Sequence, residues 1–271
     1  MNGAGTLTRH ADFASRYISA RHVDIWCPPA YGLVPEIRYP VIYLHDGQNL
    51  FDPASSFIGV DWGLDAAMRR VMHDARLPGA ILVGIWNSPL RLREYLPDTP
   101  LRNPDARELR AEFVREAGEE PLSDAYLRFL IEELKPFVDA TYRTLPESAH
   151  TSIMGSSMGG LISLYALLEH PEIFGGAGCL STHWPIGREA LVDALGTALP
   201  GAGRHRLYFD FGTETLDATY EPYQQRMDEW LRKAGYEAGR DWVTRKWVGA
   251  EHSERAWRAR VHIPLEFLLR R

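Results

Sequence analysis

The sequence predicts an α/β fold with a mostly parallel central sheet and helices on both faces. Three observations carry this. Short β-rich runs alternate with helical patterns along most of the chain. Several runs are continuously apolar, as Ala80-Ile81-Leu82-Val83-Gly84-Ile85 is, which suits strands covered on both faces. A Gly-x-Ser-x-Gly pentapeptide, Gly155-Ser156-Ser157-Met158-Gly159, sits between one such run and a helical pattern, where a strand must end and the chain turn sharply. At 271 residues, 45% of them hydrophobic, the chain can bury a full core and reads as one domain over residues 1–271.

Taken in order, the stretch from Met1 to Ser15 lacks a basic start followed by an apolar segment, so no signal peptide is visible and a cytoplasmic protein is expected. Strands are predicted at 21–26, 40–45 and 80–86, bounded by turn residues such as Pro28-Pro29 and Asp46-Gly47. The early pair, around 21–27 and 39–43, is open to antiparallel pairing at the sheet edge. The polar segment 100–120, rich in Arg and Glu, reads as an inserted helical flap at about 99–122 beside the site. Tyr126, Leu130, Leu134, Phe137 and Val138 share one helical face, with Ser123 and Asp124 as caps and Pro136 as a kink. A strand at 151–154 leads into the pentapeptide, and a helix at 161–168 stops near Pro171. Strands at 176–180, 206–211 and 242–248 follow, with a helix at 223–233 closed by Gly235 and a last helix beginning near Ala256.

Composition removes several function classes. A net charge of -6 and a pI of about 5.9 provide no positive field for nucleic acid or an anionic membrane. No run approaches the roughly 20 apolar residues that span a bilayer. Cys27 and Cys179 lack C-x-x-C spacing and are expected as buried small hydrophobes. No H-E-x-x-H or clustered His/Cys spacing suggests a metal, and the Met154–Gly160 stretch lacks the lysine of a phosphate-binding loop. Phe174-Gly175-Gly176-Ala177-Gly178 opens a strand, where a dinucleotide fingerprint would close one. No cofactor is expected, and monomer and homo-oligomer both remain open.

The pentapeptide makes Ser157 the candidate nucleophile. A serine hydroxyl needs a base within hydrogen-bond reach, and the base needs a third group to fix its tautomer. His252, in Gly249-Ala250-Glu251-His252, lies after the last predicted strand and before the final helix, where a terminal base belongs. The other histidines fall on presumed surfaces or element ends; a lone histidine is ordinarily structural or solvated. The loop after Leu207-Tyr208-Phe209-Asp210-Phe211 offers two carboxylates for the acid, Asp217 and Glu214. Asp217 is slightly favoured, although the helix dipole alone would explain a carboxylate there. Asp210 should point sideways from within its strand.

Two backbone N–H groups are wanted for the oxyanion, each worth roughly 10²–10³ in rate. Met158, after the serine, supplies one. Gln48, in His45-Asp46-Gly47-Gln48-Asn49, suits the second, although Asp-Gly by itself is a common tight turn. Gly159 and Gly160 open the following helix at a cost of roughly 1 kcal/mol each relative to alanine, which suggests close passage past a neighbouring strand. Trp62, Trp86, Asn87, Arg91, Arg93, Glu94, Tyr95, His183 and Trp184 lie near these loops. Aromatics are more often core than ligand platform, and Asn87, Arg93 and Glu94 could form a structural ion pair beside the site.

Together these segments resemble the putative esterase family of α/β-hydrolases, which includes feruloyl and acetylxylan esterases, enterochelin-type siderophore esterases, S-formylglutathione hydrolases and mycolyltransferases. The matching pieces are Tyr43-Leu44-His45-Asp46-Gly47-Gln48-Asn49-Leu50-Phe51, Arg93-Glu94-Tyr95-Leu96-Pro97, Gly155-Ser156-Ser157-Met158-Gly159-Gly160, Ser181-Thr182-His183-Trp184-Pro185 and Gly249-Ala250-Glu251-His252. The resemblance implies an α/β-hydrolase fold, Ser157 as nucleophile, His252 as base, and Met158 with Gln48 as oxyanion donors. It also implies a small-molecule, saccharide or siderophore ester as substrate. The acid departs from the family pattern, because Thr215 stands where relatives often carry Asp or Glu, and some siderophore esterases manage with a Ser-His pair. The expected function is serine carboxylic-ester hydrolysis through an acyl-enzyme. The alternatives are an acyltransferase using the same acyl-enzyme and a non-catalytic binding module on the same scaffold.

Overall fold

The computed structural model describes residues 4–102 and 107–270. Its strands are β1 (Thr6–Phe13), β2 (Arg21–Cys27), β3 (Val41–His45), β4 (Ile81–Ile85), β5 (Thr151–Ser156), β6 (Gly176–Leu180), β7 (Arg206–Gly212) and β8 (Trp242–Trp247). They form one sheet in the order β1-β2-β4-β3-β5-β6-β7-β8. From β4 to β8 along that order every pairing is parallel, while β2 runs antiparallel to both β1 and β4. The antiparallel edge is therefore present with different partners from those expected. β2 and β3 are not neighbours, because β4 lies between them.

The α-helices are α1 (Leu64–Asp74), α2 (Arg91–Tyr95), α3 (Arg107–Ala117), α4 (Ser123–Arg128), α5 (Lys135–Thr141), α6 (Met158–Glu169), α7 (Arg188–Thr197), α8 (Glu221–Lys233), α9 (Glu254–Arg260) and α10 (His262–Leu269). Alternation along the strands divides the apolar residues between two layers. Val41 and Tyr43 belong to a core shared with Leu127 of α4, Val138 of α5, Leu164 of α6, Leu191 of α7 and Met227 of α8. Ile42 and Leu44 belong to the opposite core, with Met68 of α1, Trp257 of α9 and Leu265 of α10. Cys27 and Cys179 are free and buried, as expected. Among the described residues no helix is long and apolar enough to cross a membrane.

The helical stretch around Pro136 is not one kinked helix. α4 passes into a π-helical segment, Phe129–Leu134, and α5 then carries Pro136 in its first turn. Proline has no N–H for the residue four before it, and a wider turn upstream accommodates the missing bond. The segment expected as a flap holds a 3-10 turn, Thr99–Arg102, and α3, with residues 103–106 outside the described residues. α3 is docked: Phe113 is buried in the core, and Arg110 Nη1 donates to Asp98 Oδ1 at 2.8 Å.

One buried ion pair ties the antiparallel edge to the helical layer. Arg21 at the start of β2 donates to both oxygens of Glu94 in α2, at 2.9 and 2.7 Å, and Ser88 Oγ donates to the same carboxylate. Both charged side chains are essentially inaccessible to solvent. Removing one partner strands the other charge in the interior, at a cost of about 3–5 kcal/mol. Glu94→Ala should therefore lower the urea unfolding free energy by about that amount without changing the m-value.

Candidate active site

The parallel arrangement brings the loops after β5, β6, β7 and β8, four adjacent strands, out of the same sheet end. Ser157 follows β5, Ser181 and His183 follow β6, Asp217 lies in the loop after β7, and His252 lies in the loop after β8. Ligands of open α/β sheets bind at this end, outside the carboxyl termini of the strands.

Ser157 has φ 57° and ψ -123°, a conformation that L-residues rarely adopt and that costs on the order of 1–3 kcal/mol. Its surroundings hold it there. A Cβ on Gly155 would stand 2.8 Å from the carbonyl of Gly159, so only glycine permits the strand and helix to approach so closely. A Cβ on Gly160 would lie 3.0 Å from Thr182 Oγ1 and 3.2 Å from Leu180 O, which accounts for the second glycine by proximity to β6. Ser157 N–H donates to Leu180 O at 2.9 Å, and His183 N–H donates to Ser157 O at 3.2 Å. Met158 is the first residue of α6, where backbone N–H groups have no intrahelical acceptor.

His252 is fixed from several directions. Its backbone N–H donates to Thr215 Oγ1 at 2.8 Å, and its Nδ1 lies 2.6 Å from Asp217 Oδ1. The ring meets Trp257 and Tyr220 edge-on, with centroids 5.0 and 5.7 Å away. Ser253, the next residue, caps α9 by accepting from Ala256 N–H. The acid and base loops are also joined directly: Ala250 O accepts from the N–H groups of Thr213 and Glu214 at 3.1 and 3.0 Å, and Gly249 N–H donates to Thr213 Oγ1 at 2.8 Å.

The two candidate acids part company here. Asp217 is buried within a 3-10 turn, Thr215–Thr219, and Glu214 is exposed just before it. The Asp217 Oδ2 accepts from Gly212 N–H and from Ser181 Oγ, each at 2.6 Å. Burial pushes the Asp217 carboxyl pKa up, but the donors from His252, Ser181 and Gly212 outweigh it and leave the pKa below its ordinary value. Asp217 is therefore ionised, and as an acceptor it favours the tautomer that carries the proton on His252 Nδ1. Asp210 makes a buried pair with Arg260, at 3.1 and 3.0 Å.

Gln48 stands in the 3-10 turn Gly47–Asn49 after β3, entered through Asp46 at φ 58°. A Cβ on Gly47 would come within 2.7 Å of the Gly84 carbonyl carbon, so the turn can lie on β4 only with glycine there. The loop after β4 clamps it: Asp46 accepts from Asn87 Nδ2 and from Arg91 Nε and Nη2, all at 2.7 Å, and Asn87 N–H donates to Gln48 Oε1 at 3.2 Å. The turn lies against the start of α6, where a Cβ on Gly159 would be 3.3 Å from that of His45.

Most of the neighbouring aromatics are structural. Trp62 stacks against Trp257, Trp184 is buried with its Nε1 donating to Gln224, and Tyr95 is buried beside His45. Glu94 and Arg93 form separate ion pairs, with Arg21 and Glu119. His183 is different. Its Nδ1 is hydrogen-bonded to Tyr220 OH at 2.6 Å, and Tyr220 also packs on His252. Burial first, then the charges of His252 and Arg91, push the His183 pKa down to about 4, so the ring is neutral at physiological pH. Tyr220 has no signal in the sequence, and Ser181 only its place after a strand end in the family-like segment Ser181-Thr182-His183-Trp184-Pro185.

A family model described as "Putative esterase" matches residues 15–262. The chain belongs to the putative esterase family. As a member it is a carboxylic ester hydrolase with an α/β-hydrolase fold. Among its relatives, an uncharacterized protein of Bacillus subtilis, YbbA, is 26% identical over 194 residues, covering 72% of this chain and 68% of that protein. The ferri-bacillibactin esterase BesA of the same organism is 30% identical over 159 residues, which span 55% of this chain but only half of BesA. A solved ferulic acid esterase superposes with a TM-score of 0.71 at 17% identity, covering 99% of both chains. The enterobactin esterase of Shigella flexneri superposes with a TM-score of 0.68 at 20% identity, over 99% of this chain and 60% of that one. At such identities the structural likenesses establish the shared fold.

Proposed function

We propose that this esterase works through an acyl-enzyme on Ser157. His252 Nε2 takes the hydroxyl proton as Ser157 Oγ attacks the ester carbonyl, while Asp217 holds the tautomer and stabilises the imidazolium. The oxyanion is held by the backbone N–H groups of Met158 and Gln48. His252 then gives its proton to the departing alkoxide; in the second half a water deprotonated by the same nitrogen attacks the acyl carbon, the Ser157 Oγ–acyl bond breaks, and the proton returns to Ser157 Oγ as the acid leaves. The observation that carries this reading is the 2.6 Å contact between His252 Nδ1 and the ionised Asp217, at the same sheet end as a serine held at positive φ after β5. The order serine, acid, histidine along the chain supports it further.

The names of the relatives, a ferri-bacillibactin esterase and a ferulic acid esterase, support siderophore or ferulic esters as substrates. Phe57, Leu90 and Leu216, exposed apolar side chains on three of the loops that carry the site, suit an ester with an apolar body. The test is labelling with a fluorophosphonate probe followed by peptide mapping. The expected adduct is on Ser157 and disappears in Ser157→Ala; a protein that resists labelling, or one labelled elsewhere, overturns the proposal. Turnover of nitrophenyl, feruloyl and acetyl-sugar esters then ranks the substrate classes.

The tie between the acid and base loops makes a separate prediction. A Cβ on Gly212 would stand 2.1 Å from Ala250 O, so Gly212→Ala must push the His252 loop away. Displacements of about 1 Å can cost roughly 10²-fold in rate. Gly212→Ala should therefore lower kcat for nitrophenyl acetate by about that factor while the circular dichroism spectrum stays unchanged.

A further inference from the structure

Behind Asp217 lies a buried polar group that the proposed chemistry does not itself use. Ser181, directly after β6, is fully buried and has φ 42°, a positive value that L-residues rarely adopt. Its Oγ lies 2.6 Å from Asp217 Oδ2, 3.0 Å from Trp257 Nε1 and 3.1 Å from Arg260 Nη2. A hydroxyl has one proton to give and two lone pairs with which to accept. Indole and guanidinium nitrogens only donate, so Trp257 and Arg260 fill both acceptor sites of Ser181. The single proton of Ser181 then has one acceptor, Asp217.

From this geometry we infer that Ser181, polarised by Arg260 and Trp257, is a positioning residue for the acid of the triad, and the inference rests on the triad reading above. The hydroxyl is a one-way donor. It anchors Oδ2 together with Gly212 N–H, and so turns Oδ1 toward His252 Nδ1. Arg260 is itself locked, because its Nε and Nη2 both reach Asp210. The positive φ is the conformation that holds the hydroxyl of this residue, immediately after the strand, against the acid loop. Asp210 therefore has a part to play after all: it fixes the cation that aligns Ser181.

The experiment is a double-mutant cycle on kcat per titrated active site, using the burst of an activated ester to count competent molecules. Ser181→Ala should lower kcat by about 10-fold with KM within about twofold, because one charge-assisted hydrogen bond to the acid is lost. Ser181→Gly, which suits the backbone better, should do the same, and counting active sites removes any misfolded fraction from both. In an Asp217→Asn background the same Ser181→Ala change should cost less than about twofold, since the charge it acts on is gone and Gly212 N–H still orients the amide. The downfield proton resonance of His252 Nδ1 should also move in Ser181→Ala. Equal losses in both backgrounds, or an unaltered kcat and resonance, would overturn the inference. If Asp217→Asn by itself leaves turnover intact, the triad reading fails and this one with it; if Asp217→Asn cripples the enzyme and Ser181→Ala does not, only the positioning role fails.

Discussion

Ser157→Ala should lower kcat for an activated ester by a factor on the order of 10⁶, and His252→Ala by nearly as much. The serine supplies the bond-forming atom and the histidine the proton acceptor, so neither works alone. Losing both should cost little more than losing one. The residue of activity above the uncatalysed rate would come from the oxyanion donors, which these substitutions leave in place. Both positions are favourable for the experiment. Ser157 contributes its backbone N–H and C=O to the β6 loop, and alanine retains those bonds. The measurement is steady-state hydrolysis with each variant, checked against fluorophosphonate labelling. A Ser157→Ala protein that still turns over within about tenfold of the parent would end the acyl-enzyme mechanism.

Asp217→Asn should lower kcat by about 10⁴-fold, while Glu214→Gln should leave it within about twofold. An amide at 217 can still contact the imidazole, but it offers no charge to the imidazolium and favours the wrong tautomer. The amide also faces two donors, Ser181 Oγ and Gly212 N–H, at Oδ2, so its orientation there is forced with its oxygen toward them and its NH₂ toward His252. That presents a donor to Nδ1 and leaves the proton on Nε2, the nitrogen that must accept one. Glu214 is exposed, with its carboxylate 3.4 Å from Thr213 Oγ1, and its loss should matter little. Near-normal turnover in Asp217→Asn would mean that a serine–histidine pair suffices.

Much of the fold was legible because its strands are short, apolar and separated by turn residues. β6 is found at the predicted residues, and the other predicted strands differ from the observed ones by one or two residues at their ends. β1 escaped because Thr6–Phe13 is an edge strand with mostly exposed residues and offers no apolar face to read. The pairing of β2 with β4 was hidden for another reason: neighbours in a sheet depend on the crossover, and nothing local to β2 or β3 announces that β4 will enter between them. Ser157 and His252 were legible as candidates because a motif and a chain order point to them. The loop that offers the acid was legible too, but the choice within it was only a slight preference for Asp217, since two carboxylates three residues apart look alike until a 3-10 turn directs one inward and the other to solvent. The reach of Ser181 to that acid depends on α9 delivering Trp257 and Arg260 from nearly 80 residues further along.

The carbonyl of Ala250, bonded to the loop after β7, splints two halves of the machinery to each other independently of the sheet. Any drift in one is shared by the other, so their mutual alignment survives movements that would misalign separate loops. Variation in sequence is therefore tolerated best outside the joined loops and the Gly47–Asn49 turn, at exposed positions such as Phe57 and Leu90. A descendant of this enzyme could acquire a new appetite by rebuilding those exposed positions alone and inherit the joined loops intact.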